Sequence, residues 1–220
     1  MTEPPVAIVT ESVSRRFGRH WAVRKVSVRL EAGALHVVIG HNGAGKSTLL
    51  GLLAGAMRPT EGQVRVLGST IEDGGAELRR RVAWLPHKPF VYPDLTGREA
   101  LCFAAGLYGQ RLTREAQDRL LERVQLSSSG HRKVRTYSRG MTQRLALAAV
   151  LAQRADVWLL DEPATGLDVA GRTMLLEVLT EAKEAGACLV VVTHDPAAFE
   201  SVTDAHYRLE RARLSRVEQA

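Results

Sequence analysis

Two cysteines are all that 220 residues contain, Cys102 and Cys188, far apart and each in apolar surroundings. That scarcity argues against a disulfide framework and fits a reduced, cytosolic setting; neither thiol has a ligand-spaced neighbour, so a structural zinc site is not expected either. Long hydrophobic runs are missing as well. The longest, Leu145 to Ala152 and Cys188 to Val192, fall well short of the roughly 20 residues that a membrane-spanning helix needs. The opening Met-Thr-Glu-Pro-Pro-Val lacks the basic-then-apolar order of a secretion signal. Heptads, internal repeats and low-complexity linkers are also absent. Aromatics make up only 5% of the chain, and none interleaves the densest basic clusters, Arg79-Arg80-Arg81 and His131-Arg132-Lys133-Val134-Arg135, as a single-strand nucleic-acid surface would require. The formal charge of +6, carried mostly by arginine, fits a nucleic-acid or anionic-membrane partner or simply a solvated basic face; the last is the simplest account.

What is present is ordinary in bulk and specific in places. Hydrophobic residues at 45% and charged residues at 25% describe a soluble composition. The length suits one large domain, or a core with one insertion.

The informative stretch is Gly40-His41-Asn42-Gly43-Ala44-Gly45-Lys46-Ser47-Thr48. Leu35 to Ile39 before it reads as a short buried strand, and Leu49 to Ala54 after it as the first turns of a buried helix. Strand, glycine loop and helix in that order are the context of a phosphate-binding loop. Glycines let the backbone curl until successive N–H groups point inward, and the helix N-terminus adds partial positive charge. Lys46 can reach the β- and γ-phosphates, and the Ser47 hydroxyl is placed to ligate Mg²⁺.

Along the rest of the chain, Val6 to Val9 and Val26 to Leu30 read as strands. Phe17 lies between them, and spacing alone makes it a core or turn aromatic rather than a base-stacking one. Gln63 to Leu67 is a surface strand, Leu78 to Arg81 a short helical piece, and Val82 to Leu85 a buried strand stopped by Pro86-His87-Lys88-Pro89. Thr96-Gly97-Arg98-Glu99 is a capping box opening a helix to Tyr108. Thr113 opens a second helix, ending near Leu126, and Ser138 a third. Three helices with no strand between them predict an inserted helical subdomain over 94–155. The α/β rhythm then returns, with Val157 to Leu160 as a buried strand, 169–185 as an amphipathic helix and Ala187 to Thr193 as another buried strand. Pro196 to Thr203 follows as a short helix, and 205–217 as a hairpin.

Asp161 and Glu162 close an apolar strand, so both carboxylates emerge at its C-terminal end, the edge where an open α/β sheet binds ligands. One can hold Mg²⁺ and the other can polarise an attacking water, and strand alternation assigns them separate tasks. His194 ends another apolar strand on the same edge, where it can donate to a γ-phosphate oxygen or serve simply as a loop histidine.

Together these residues resemble the ABC ATPases, the nucleotide-binding subunits of ABC transporters, over nearly the whole chain. Gly40 to Thr48 is similar to the family's Walker A loop and Val157 to Glu162 to its Walker B strand with the catalytic glutamate. Thr165-Gly166-Leu167-Asp168 is similar to the D-loop, and His194 to the switch histidine. Tyr137-Ser138-Arg139-Gly140-Met141 resembles the signature, and Phe17 now matches the aromatic that stacks on adenine. Two departures stand out. Arg139 and Met141 replace a glycine and the glutamine of the usual Leu-Ser-Gly-Gly-Gln, and His87 stands where the Q-loop glutamine belongs. A histidine there with an Arg-Gly-Met signature resembles the haem-exporter ATPase of cytochrome c maturation; Tyr-Ser-x-Gly-Met signatures also resemble ABC-2-type exporter ATPases for drugs, lipids or polysaccharide.

The resemblance implies an α/β fold, a RecA-like P-loop NTPase core (1–93 and 156–220) with an N-terminal antiparallel β subdomain and the helical insertion, all one domain. It implies ATP and Mg²⁺ as cofactors. Two copies, identical or paralogous, would sandwich two ATPs, each site joining one chain's loop to the other's Ser138 and Gly140. It also implies integral membrane transporter subunits as partners near His87, a peripheral place on the cytoplasmic face of the inner membrane, and no nucleic acid. Glu162 would be the general base, with His194 and Lys46 beside it in catalysis, and Asp161 and Ser47 would contact Mg²⁺. A soluble ABC protein acting on nucleic acid would carry tandem cassettes or a long coiled coil. A small P-loop kinase would leave Tyr137 to Met141, Asp168 and His194 unexplained.

Overall fold

The computed structural model describes residues 5–217; the N-terminal stretch weighed as a secretion signal lies mostly outside them. Twelve-residue strands β1 (Val6–Phe17) and β2 (His20–Glu31) form an antiparallel hairpin, longer than the two short runs that alternation marked. Register shifts interrupt the pairing at several points, including Thr10/Val13, and such bulges break the period of two on which that reading relied. The hairpin joins β4 (Glu61–Val66) and the two-residue β5 (Ser69–Thr70) in a sheet ordered β2-β1-β4-β5.

The second sheet contains β3 (Leu35–Ile39), β6 (Val82–Leu85), β7 (Val157–Asp161), β8 (Cys188–Thr193), β9 (Ala205–Glu210) and β10 (Arg213–Val217), ordered β10-β9-β3-β8-β7-β6. All pairs are parallel except the terminal β9–β10 hairpin. The central strands β7 and β8 are buried at every position, as a sheet covered on both faces demands. Val157 and Leu159 pack toward the antiparallel sheet and α1 (Lys46–Leu53), while Trp158 and Leu160 pack toward the helices opposite. One strand thus feeds two cores, and its alternation is invisible in sequence because both faces are apolar.

Those opposite helices are α3 (Gly97–Leu107), α4 (Arg114–Arg123), α5 (Arg139–Gln153) and α6 (Val169–Glu184). Their starts are set by side-chain caps. Thr96 and Glu99 form the reciprocal capping box, and Thr113, Ser138 and Asp168 each accept a hydrogen bond from a first-turn amide. The short helical piece at 78–81 corresponds to the second part of α2 (Ile71–Arg80), two helical stretches joined across a kink at Gly75 (φ 55°, ψ −139°), of which the first begins at the Thr70 cap. Gly74-Gly75 reads as a helix breaker in sequence. Here Gly75 takes the left-handed kink and Gly74 lies against Leu78, where a Cβ would come within 2.5 Å of that side chain.

His36 sits fully buried in β3. Its Nε2 lies 3.2 Å from the Glu31 carbonyl oxygen, which can only accept, so the ring proton is on Nε2; Nδ1 is buried without a partner. Burial pushes its pKa below 6.5, outweighing the pull of the Glu31 and Asp204 carboxylates, with Arg216 adding to the decrease. The folded state therefore holds His36 neutral where the unfolded chain would protonate it. Stability from this residue is complete above pH 6.5 and declines as pH falls through that value. We expect the urea midpoint to drop between pH 7.5 and pH 5.5, with a slope of up to about 1.4 kcal/mol per pH unit from this one group. His36→Gln should flatten that part of the profile; an unchanged slope would assign the effect to other groups.

Candidate functional site

Five parallel strands end on one side of the second sheet, and the loops following β3, β6, β7 and β8 build a cavity of about 890 Å³ there. Its floor is the glycine loop. Gly43 and Gly45 have φ of 82° and 101°, and Gly45 caps the N-terminus of α1 without a side chain. A Cβ on Gly45 would lie 2.0 Å from the Ala22 carbonyl oxygen, and one on Gly40 would lie 2.6 Å from that of Leu209. The loop is therefore wedged between β2 and β9, which fixes its curl from both sides. Lys46 is only 8% exposed, and its ammonium donates to the carbonyl oxygens of Gly40 (2.7 Å) and His41 (3.2 Å). The lysine curls back over its own loop and lines the cavity beside Asn42, Ser47 and Thr48.

Facing the loop, Asp161 ends β7. Its carboxylate is buried and hydrogen-bonded to Ser47; burial raises its pKa, opposed by that bond and by the positive potential of His87 and Lys46. A carboxylate held out of water beside a hydroxyl, at the edge of a cavity, fits a divalent cation. Among the described residues no three His, Cys, Asp or Glu side chains cluster as a protein-only metal site.

Glu162 departs from the expected alternation. Its φ of 53° lies in the left-handed region, and its N–H donates to the Val192 carbonyl oxygen at 2.8 Å. This turn ends the strand's period and lets Glu162 line the same cavity as Asp161. A non-glycine residue held there stores roughly 1–3 kcal/mol of strain, a pattern common at functional positions. Its two carboxylate oxygens are held separately, Oε1 by Nδ1 of His194 (2.8 Å) and Oε2 by the Thr193 hydroxyl (3.2 Å). Thr193 also accepts from the Asp195 amide, so β8 orients the carboxylate through two successive residues. Strand readings give no sign of this role for Thr193.

Phe17 and His87 complete the cavity, both exposed. Phe17 pairs with His20 across the β1–β2 turn, and the Arg15 guanidinium lies 4.8 Å above its ring centroid. Arg139 of the signature-like stretch and Thr165 of the D-loop-like stretch line the cavity as well, together with His20 and Ala22, which no motif marked.

Other expected residues stand apart. Gly40 and His41 border a separate shallow groove with His194 and Pro196, and Ala44 is buried in the loop. Ser138 and Asp168 cap α5 and α6; Asp168 accepts from the Gly171 amide (2.9 Å) and Arg144 Nη2 (2.5 Å), which lower its pKa in that order. Gly140 packs so closely on the Gly166 carbonyl that a Cβ would lie 2.6 Å from it. Buried Gln143, one turn further along α5, donates to the Pro163 carbonyl oxygen at 3.1 Å. The start of α5 is thereby fastened to the loop after β7, but Ser138 and Gly140 do not line the cavity.

A family model for ABC transporters matches residues 23–165, from β2 through the loop after β7. The chain belongs to the ABC transporter family. Within it this is the ATP-binding part, with an α/β fold shared with a solved ATP-binding subunit of an ABC transporter (TM-score 0.87, 29% identity, 96% of this chain and 89% of that one). Cytochrome c biogenesis ATP-binding export protein CcmA 2 of Cupriavidus metallidurans is 36% identical over 84% of this chain and 91% of its own length. Daunorubicin resistance ATP-binding protein DrrA3 of Streptomyces coeruleorubidus is 35% identical over 85% of this chain. This chain spans 60% of the DrrA3 length, and a similar share of several other relatives.

Gly45→Ala tests the wedge. The new methyl cannot coexist with the Ala22 carbonyl, so the loop must open. We expect nucleotide affinity to fall at least about tenfold and stability to drop by roughly 1–3 kcal/mol. Titration calorimetry and thermal melts of the pure variant check both; wild-type affinity would mean that the loop does not depend on contact with β2.

Proposed function

We propose that this chain binds ATP with Mg²⁺ and hydrolyses it to power a separate membrane protein, as the ATPase subunit of an exporter. The observation that carries the reading is the single cavity in which Lys46 and Ser47 of the glycine loop face Asp161, Glu162 and His194. The loop amides and the Lys46 ammonium hold the phosphates, and the Phe17 ring stacks on adenine. Ser47 and Asp161 hold Mg²⁺, which supplies neutralisation of phosphate charge. Glu162, positioned by Thr193 and His194, accepts the proton of the attacking water, and His194 donates to the γ-phosphate.

A second copy or paralogue closes the site, contributing Ser138 and Gly140, which stand outside this chain's own cavity with the α5 N-terminus behind them. ATP then joins the two cassettes and hydrolysis parts them. The membrane partner docks beside His87. There an apolar groove lined by Trp84, Leu85, Leu101 and Tyr108 carries Phe90 and Leu107 at its rim, exposed by 84% and 68%. Such an apolar patch supports docking on a partner protein, and a peripheral place on the cytoplasmic face of the inner membrane belongs to this reading. His87 and the Arg-Gly-Met signature favour the cytochrome c biogenesis type of exporter; the likeness to DrrA3 supports an ABC-2-type exporter as the second reading.

Glu162→Gln should keep ATP affinity and lower turnover by about 10²–10⁴-fold, with ATP-dependent dimers accumulating in size-exclusion chromatography. Wild-type turnover would remove Glu162 from the chemistry. His87→Gln should leave ATP affinity nearly unchanged while altering stimulation by the membrane companion recovered with the chain from detergent-solubilised membranes. A large loss of nucleotide binding would instead make His87 a direct ligand.

A further inference from the structure

Arg139 is the first residue of α5, between Ser138 and Gly140, yet it lines the cavity that neither of them does. Its path is set by the turn after β7. Gly166 has φ 78° and no side chain, and a Cβ there would lie 3.1 and 3.3 Å from Cγ and Cδ of Arg139. The arginine stem therefore crosses the bare face of Gly166. Arg139 lines the cavity together with Thr165, Glu162 and His194, and among the described residues no ion pair engages its guanidinium. An uncommitted guanidinium in a cavity that also holds Lys46 is a ready phosphate contact.

We propose that Arg139 is a nucleotide-contacting residue for the site of its own chain, its guanidinium meeting the terminal phosphate of the triphosphate that Lys46 holds. The inference rests on the ATP-site reading above and adds a contact made in cis. Its neighbours Ser138 and Gly140 act on the other copy's nucleotide in that reading. One helix end then answers to two sites, its own through Arg139 and the partner's through the residues on either side. A glycine at this position has no such reach.

The test measures ATP and ADP affinity, each with excess Mg²⁺, at concentrations where sedimentation shows the full chain to be monomeric, so that no second copy contributes. Arg139→Gln should weaken ATP by roughly five- to tenfold and ADP by less than about twofold, because only ATP carries the terminal phosphate. Arg139→Lys should recover most of the loss by restoring the charge. Equal effects on the two nucleotides, or none, would overturn the proposal. So would a defect seen only as lowered ATPase activity at concentrations where the copies associate, since the guanidinium would then act across the interface. Lys46→Ala, measured in parallel, separates the two ideas: if it bound ATP as tightly as wild type, the site reading itself would fall, whatever Arg139 did.

Discussion

The structure depends on a loop that has nowhere else to go. Gly45 rests against the Ala22 carbonyl and Gly40 against that of Leu209, each so close that a single carbon would not fit. The first contact comes from the antiparallel hairpin and the second from β9 of the second sheet. A curl of backbone amides is a weak anion site while it can relax; held from both sides it becomes a fixed array of donors, with no ordering cost left to meet on binding. The hairpin is thus a wall for the loop through Ala22 as well as a platform for Phe17.

The parallel order of β3, β8 and β7 brings the glycine loop, His194 and the two carboxylates to one edge. This much was legible in the sequence, because a buried parallel strand announces itself as an apolar run and its C-terminal end as the first polar residue after it. Lys46, Ser47, Asp161, Glu162 and His194 each follow directly from such a run or from the glycine loop. The capped helix starts were legible for a similar local reason, since Thr96, Thr113 and Ser138 act on amides within three residues. Less of the rest could be read. The bulges of β1 and β2 erase strand periodicity, and the first stretch of α2, before the kink at Gly75, carries no apolar stripe to mark it. Glu162 escapes the alternation rule because a left-handed turn begins at that residue, and no neighbour in sequence signals it. Thr193, Gln143 and Ala22 matter through partners 20 or more residues away, which single-sequence patterns do not encode.

Two kinds of contact hold the site together, and they respond differently to change. The loop is fixed by steric exclusion between backbones, so only glycine satisfies it. The carboxylate of Glu162 is fixed by two hydrogen bonds from adjacent residues of one rigid strand end, and one of these comes from an exposed histidine. An exposed donor is easily withdrawn, because water can replace it at small net cost. The Thr193 bond is buried and persists. Glu162 therefore has one permanent and one releasable restraint, and a group that competes for His194 frees one carboxylate oxygen without unseating the other.

The turn after β7 ties α5 to the strand that carries the carboxylates. Between Glu162 and Asp168 the chain supplies the Pro163 carbonyl to Gln143, the Gly166 carbonyl to the close approach of Gly140, and the Asp168 carboxylate to Arg144. Three successive contacts on α5, one of them buried, tie the helix that presents Ser138 to the strand that presents Asp161. These contacts leave little room for the carboxylate end of β7 and the start of α5 to shift independently, since close-packed backbones have no slack between them. The helices lie far from the glycine loop in sequence, but through this turn they are one mechanical step from the site where phosphate would be cleaved.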